Sequence, residues 1–126
     1  AFIAASEQVL DSMPACMEAA ALAKMAERGQ IKGCIADGPL ALDVAIDKES
    51  VEIKKLTSPV AGDADCLVFP NIESANVFWK TNSKLAPGVR QAGMLVGTTA
   101  PCILASRADS VDTKLNSIAE AVMSVK

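Results

Sequence analysis

The stretch Ala105-Ser106-Arg107-Ala108-Asp109-Ser110 sets a hydroxyl and a guanidinium side by side. It follows an apolar run and precedes a helical period, where free backbone N–H groups and the helix dipole attract anions. A guanidinium grips a phosphoryl group through two parallel hydrogen bonds, and a serine hydroxyl can donate to a developing oxyanion. The competing reading is purely local: Arg107 pairs with Asp109 or Asp112, and Ser106 caps a turn. A second polar set follows Phe69-Pro70, where Asn76 and Lys80 stand four apart on one helix face. Both could hold phosphate or carbonyl oxygen, or they form a solvated stripe with Lys80 reaching for water.

Absent residue types narrow the chemistry further. The 126 residues contain no histidine, which excludes Ser-His-Asp and Cys-His catalysis and HExxH zinc sites within this chain. Cys16, Cys34, Cys66 and Cys102 stand singly, with no CxxC between them. Metal-ligand spacing is therefore missing, and the apolar or small-residue settings predict buried, reduced thiols of a cytosolic protein. The glycines form neither GxGxxG nor a Walker loop, so no dinucleotide or nucleoside-triphosphate fingerprint exists. A net charge of −3, an aromatic content of 3% and no long basic run exclude a nucleic-acid platform. No apolar run approaches the ~20 residues that span a membrane.

These side chains need elements to hold them. Half of the chain (51%) is apolar, enough for one packed domain over residues 1–126. Short, wholly apolar runs predict strands at 1–5, 32–36, 65–69, 91–96 and 102–105, of the kind buried on both faces of a parallel sheet. Helical periods predict helices at 14–28, 39–46, 50–56 and 72–85. A last helix at about 110–125 carries Val111, Leu115, Ile118, Val122 and Val125 on one face. The alternation gives a three-layer α/β/α domain with a mostly parallel sheet. Ligands in such folds bind beyond the carboxyl ends of the strands, which is where both polar sets lie.

At these same loops the chain resembles the phosphate acetyl/butyryltransferase family. Five blocks carry the resemblance in order: 37–43 (DGPLALD), 58–65 (SPVAGDAD), 68–76 with Lys80 (VFPNIESAN), 106–110 (SRADS) and 114–119 (KLNSIA). The Ser-Arg-Ala-Asp-Ser form is closer to the butyryl branch than to the acetyl branch. The resemblance covers essentially the whole chain and implies the second of the family's two α/β domains, plus its terminal helix. The helix at about 110–125 would then pack partly on an N-terminal domain absent from this sequence.

The family moves an acyl group reversibly between CoA and inorganic phosphate in the cleft between its domains. Ser106 and Arg107 match its active-site pair. The resemblance assigns the phosphoryl group to Arg107 and the tetrahedral transition state to Ser106. The acetyl branch places its proposed base at the position of Thr113, so adjacent Asp112 is taken as the base, with Asp109 close by. Asn76 and Lys80 are substrate-binding candidates, although the family usually has glycine at Ala75. CoA is then a substrate, and no metal or covalently held cofactor is needed. Acyl-CoA and phosphate would be the small-molecule partners of a cytoplasmic homo-oligomer, with no nucleic acid and no membrane. The mechanism expected is direct attack of the CoA thiol on acyl phosphate. A different class is a non-catalytic regulatory domain that keeps the fold and binds acyl-CoA or acyl phosphate. A phospho-receiver domain fails, because its acidic and lysine positions hold Ser6-Glu7, Phe69-Pro70 and Ser106-Arg107 here.

Overall fold

The structure is a computed structural model, described over residues 1–125. Its five helices are α1 (Pro14–Glu27), α2 (Leu42–Ile46), α3 (Lys48–Lys54), α4 (Ile72–Leu85) and α5 (Val111–Met123). Two compact units are present, Ala1–Asn76 and a second from Val77 onward. None of these helices is long and apolar enough to cross a membrane.

In the first unit, Phe2, Ile3 and Ala4 run parallel to two neighbours at once. On one side Ile3 N–H donates to Val68 O (2.8 Å) and Val68 N–H to Ala1 O (2.9 Å). On the other, Leu40 N–H donates to Phe2 O (3.1 Å) and Ala4 N–H to Leu40 O (2.9 Å). This segment is paired along both edges, and Phe2, Ile3 and Ala4 are all apolar and buried. Gly38 is required by this pairing. A Cβ there would stand 2.7 Å from both Cβ and O of Phe2. Ile3 and Leu40 meet Val44 and Ala45 of α2 to form the core cluster. Pro14 opens α1, where a missing N–H costs nothing, and Cys16 and Ala19 are its buried residues. Asp47 separates α2 from α3 and caps the latter, accepting from Ser50 N–H at 2.9 Å.

In the second unit, buried Ser117 of α5 donates to Thr113 O (2.7 Å) and accepts from Gly93 N–H (3.0 Å). Gln91 in turn donates to Trp79 O of α4 at 3.1 Å. Ser110 caps α5 by accepting from Thr113 N–H.

Several expectations change. The predicted strands appear as single bridges: Phe2 with Val68 and Ile3 with Leu40 in parallel, and Leu95 with Cys102 antiparallel. Residues 32–36 carry no bridge among the described residues. Apolar content shows what a strand can bury, but a ladder also needs a partner backbone in register. Leu104, expected inside a sheet, is 79% exposed. The helix predicted from Pro39 begins instead at Leu42, because Leu40 spends both its backbone groups on the Phe2–Ala4 segment. Three thiols expected inside, those of Cys34, Cys66 and Cys102, are exposed, and only Cys16 is buried. A small or apolar neighbour in sequence says nothing about what covers a side chain in space.

Candidate functional site

Residues Ser106 to Asp109 form one tight turn, closed by three hydrogen bonds. Asp109 N–H donates to Ser106 O at 3.1 Å. Ser106 N–H donates to the Asp109 carboxylate at 2.8 Å, and Ala108 N–H donates to Ser106 Oγ at 3.3 Å. The backbone conformation of a four-residue turn is open to many sequences, but a Ser-x-x-Asp spacing lets the carboxylate reach back to the Ser106 amide while the hydroxyl accepts from Ala108 N–H. Arg107 therefore occupies a fixed tip. Ser106 Oγ uses a lone pair on Ala108 and keeps its hydrogen for donation elsewhere.

Helix α4 supplies cations to this turn. Lys80 Nζ stands 3.5 Å from Asp109 Oδ1, an ion pair too long for a strong hydrogen bond. One helical turn further on, Lys84 Nζ lies 3.5 Å from Ala108 O. In the sequence, Lys84 is marked only by its spacing of four from Lys80.

The local alternative for Arg107 is resolved by geometry. Among the described residues it makes no ion pair with Asp109, Asp112 or any other carboxylate. It is exposed. Asp109 is committed instead to Ser106 and Lys80, with a side chain only 9% exposed. Asp112 lies exposed in the first turn of α5, without an ion-pair partner among the described residues. Thr113 shares a hydroxyl contact of 3.0 Å with Ser110. Asn76 precedes Lys80 by one turn of α4 and is exposed. The structure thus brings Ser106, Arg107, Asp109 and Lys80 together, and leaves Asn76 and Asp112 on helix surfaces of their own.

The arrangement can bind an anion. It offers a guanidinium without a carboxylate partner among the described residues, two ammonium groups nearby and a hydroxyl donor, against one carboxylate that is already engaged.

Comparison with known proteins gives this chemistry a context. The family model described as "Phosphate acetyl/butaryl transferase" matches residues 1–122. The phosphate butyryltransferase of Clostridium beijerinckii is 56% identical over 117 residues, covering 93% of this chain and 38% of that protein. The phosphate acetyltransferase of Thermotoga maritima is 50% identical over 119 residues, covering 94% of this chain and 40% of that protein. In three dimensions the chain is similar to a branched-chain phosphotransacylase from Enterococcus faecalis V583. That likeness has a TM-score of 0.84 at 33% identity and covers 96% of this chain and 43% of the other. The chain thus spans about two-fifths of the length of the relatives that it matches.

Proposed function

The chain belongs to the phosphate acetyl/butaryl transferase family, and on that premise we propose that it is the C-terminal part of a phosphate acyltransferase. The reaction is reversible transfer of an acyl group, butyryl or acetyl, between CoA and inorganic phosphate. The same reading gives a three-layer α/β/α domain with a mostly parallel sheet. The two parallel bridges of the first unit support it.

In the direction of acyl-CoA synthesis, Arg107 holds the phosphoryl group of acyl phosphate with its two-pronged donor set. Asp112 accepts the thiol proton of CoA. The sulfur attacks the acyl carbon, the carbonyl oxygen becomes an oxyanion, and the Ser106 hydroxyl donates to it. The carbon–oxygen bond to phosphate then breaks, giving acyl-CoA and free phosphate. Asp112 suits the base because it is exposed and has no ion pair among the described residues, whereas Asp109 is held by Ser106 and Lys80. Asn76 and the remaining donors of Lys80 serve substrate oxygens.

The observation that carries this reading is Arg107, fixed at the tip of a three-bond turn and lacking a carboxylate partner among the described residues. The test is phosphate-dependent release of the CoA thiol from butyryl-CoA and acetyl-CoA by the native gene product. Arg107→Ala should lower turnover about a hundredfold, as the loss of one transition-state donor does. Arg107→Lys should restore only part of it, because an ammonium lacks the planar fork. If Arg107→Ala altered thermal stability alone, the reading would fail.

A further inference from the structure

We propose that Asp109 is a positioning residue for acyl transfer, which holds Ser106 through its backbone N–H and anchors the turn to Lys80 of α4. This rests on the acyltransferase reading above and adds a role that the reading itself does not need. One oxygen of the carboxylate accepts the Ser106 amide at 2.8 Å, and the other faces Lys80 Nζ at 3.5 Å. The side chain is nine-tenths buried, whereas Arg107 beside it is exposed. A carboxylate removed from water needs its partners, and these two are the ones it has among the described residues. Two arms thus act on one turn. The first fixes the backbone of Ser106, so its hydroxyl keeps the contact to Ala108 N–H and its proton stays available for donation. The second couples that turn to a rigid helix, and Lys84 adds a further tie to Ala108 O. Asp109 touches no substrate in this scheme. It acts through Ser106, and a catalytic group displaced by about 1 Å can lose a hundredfold in rate.

Asparagine separates the two arms, because it keeps an acceptor for the amide and removes the charge facing Lys80. In the native gene product, Asp109→Ala should lower kcat about a hundredfold, with the KM for acyl-CoA unchanged within about threefold. Asp109→Asn should recover at least tenfold of that loss. Hydrogen exchange at the Ser106 amide provides a second readout that needs no activity. It should accelerate in Asp109→Ala and stay near wild type in Asp109→Asn. A wild-type protein without acyltransferase activity would sink the functional reading, and the Ser106 amide would still report whether Asp109 holds the turn. The proposal is overturned by unchanged Ser106 exchange in Asp109→Ala. It is equally overturned if kcat and melting temperature fall together and asparagine restores neither.

Discussion

Three of the four thiols are reachable by solvent, so the case against a covalent acyl-enzyme rests on proton chemistry rather than on burial. A thiol or hydroxyl becomes a nucleophile when a base or a strongly electropositive setting removes its proton. No histidine exists in the chain to do so. Cys102 instead directs its thiol toward Ala100 O at 3.4 Å. Direct attack by CoA predicts that the native gene product will not exchange labelled phosphate into acyl phosphate when CoA is absent. The triple variant Cys34→Ser, Cys66→Ser, Cys102→Ser should retain its chemical step. Observed exchange without CoA would require an acyl-enzyme and would end this mechanism. At this scale the sequence marks Ser106 and Arg107 as candidates, because residue types and their adjacency are local signals. It named Asp109 only as a partner for Arg107 or an alternative base, because its burial depends on where α4 passes relative to the turn. It also left the pairing of Arg107 open, since Asp109 and Asp112 both stand within reach of a flexible side chain and spacing alone does not tell them apart.

Helices were legible where the signal is local. Pro14, Ile72 and the cap at Ser110 each start a helix close to the expected place. The bridges were less so, because pairing joins residues as distant as Ala1 and Val68. Between these cases lies the α2–α3 corner, whose stability can be read from charge. Lys54 pairs with Glu7 (3.0 Å) and with Asp43 (2.9 Å). The contact to Asp43, then that to Glu7, raises the Lys54 pKa. The contact to Lys54, then the Val44 N–H, lowers that of Asp43. A lowered carboxylate value stabilises the fold above the unfolded pKa of about 4, and that help is lost as pH falls through the folded value. A raised lysine value stabilises below about 10.5 and is lost as pH rises through the folded value. The melting temperature of the native gene product should therefore exceed that of Lys54→Met by the most between about pH 5 and pH 10. The gap should close at both extremes. A gap independent of pH would mean that Lys54 acts through its alkyl stem alone.

The arrangement of apolar surface bears on what the whole molecule can do. The stripe on α5 that the sequence marks as one face is exposed, with Val122 at 66% and Leu115 at 57%. The residue that α5 does bury is Ser117. A helix with an apolar face seeks a partner for it, and the relatives are more than twice as long as the part that this chain matches. We infer that the stripe packs against a region of the full protein outside these 126 residues, and that this region supplies the second wall of the cleft. Acyl transfer must align two substrates, and an effective molarity of about 10⁵ M or more is reached only when both are held. A turn carrying Arg107 and Ser106 can grip one phosphoryl group, but nothing in this chain's described geometry fixes the pantetheine arm of CoA as well. The isolated 126-residue chain should therefore show negligible turnover of butyryl-CoA and phosphate, while the native gene product is active. In the isolated chain α5 should also exchange its amide hydrogens faster than α1, since it has one buried residue, Ser117, against Cys16 and Ala19 in α1. Turnover by the isolated chain within about tenfold of the median enzyme rate of ~10 s⁻¹ would show that one wall suffices. That result would remove the case for a partner surface on α5.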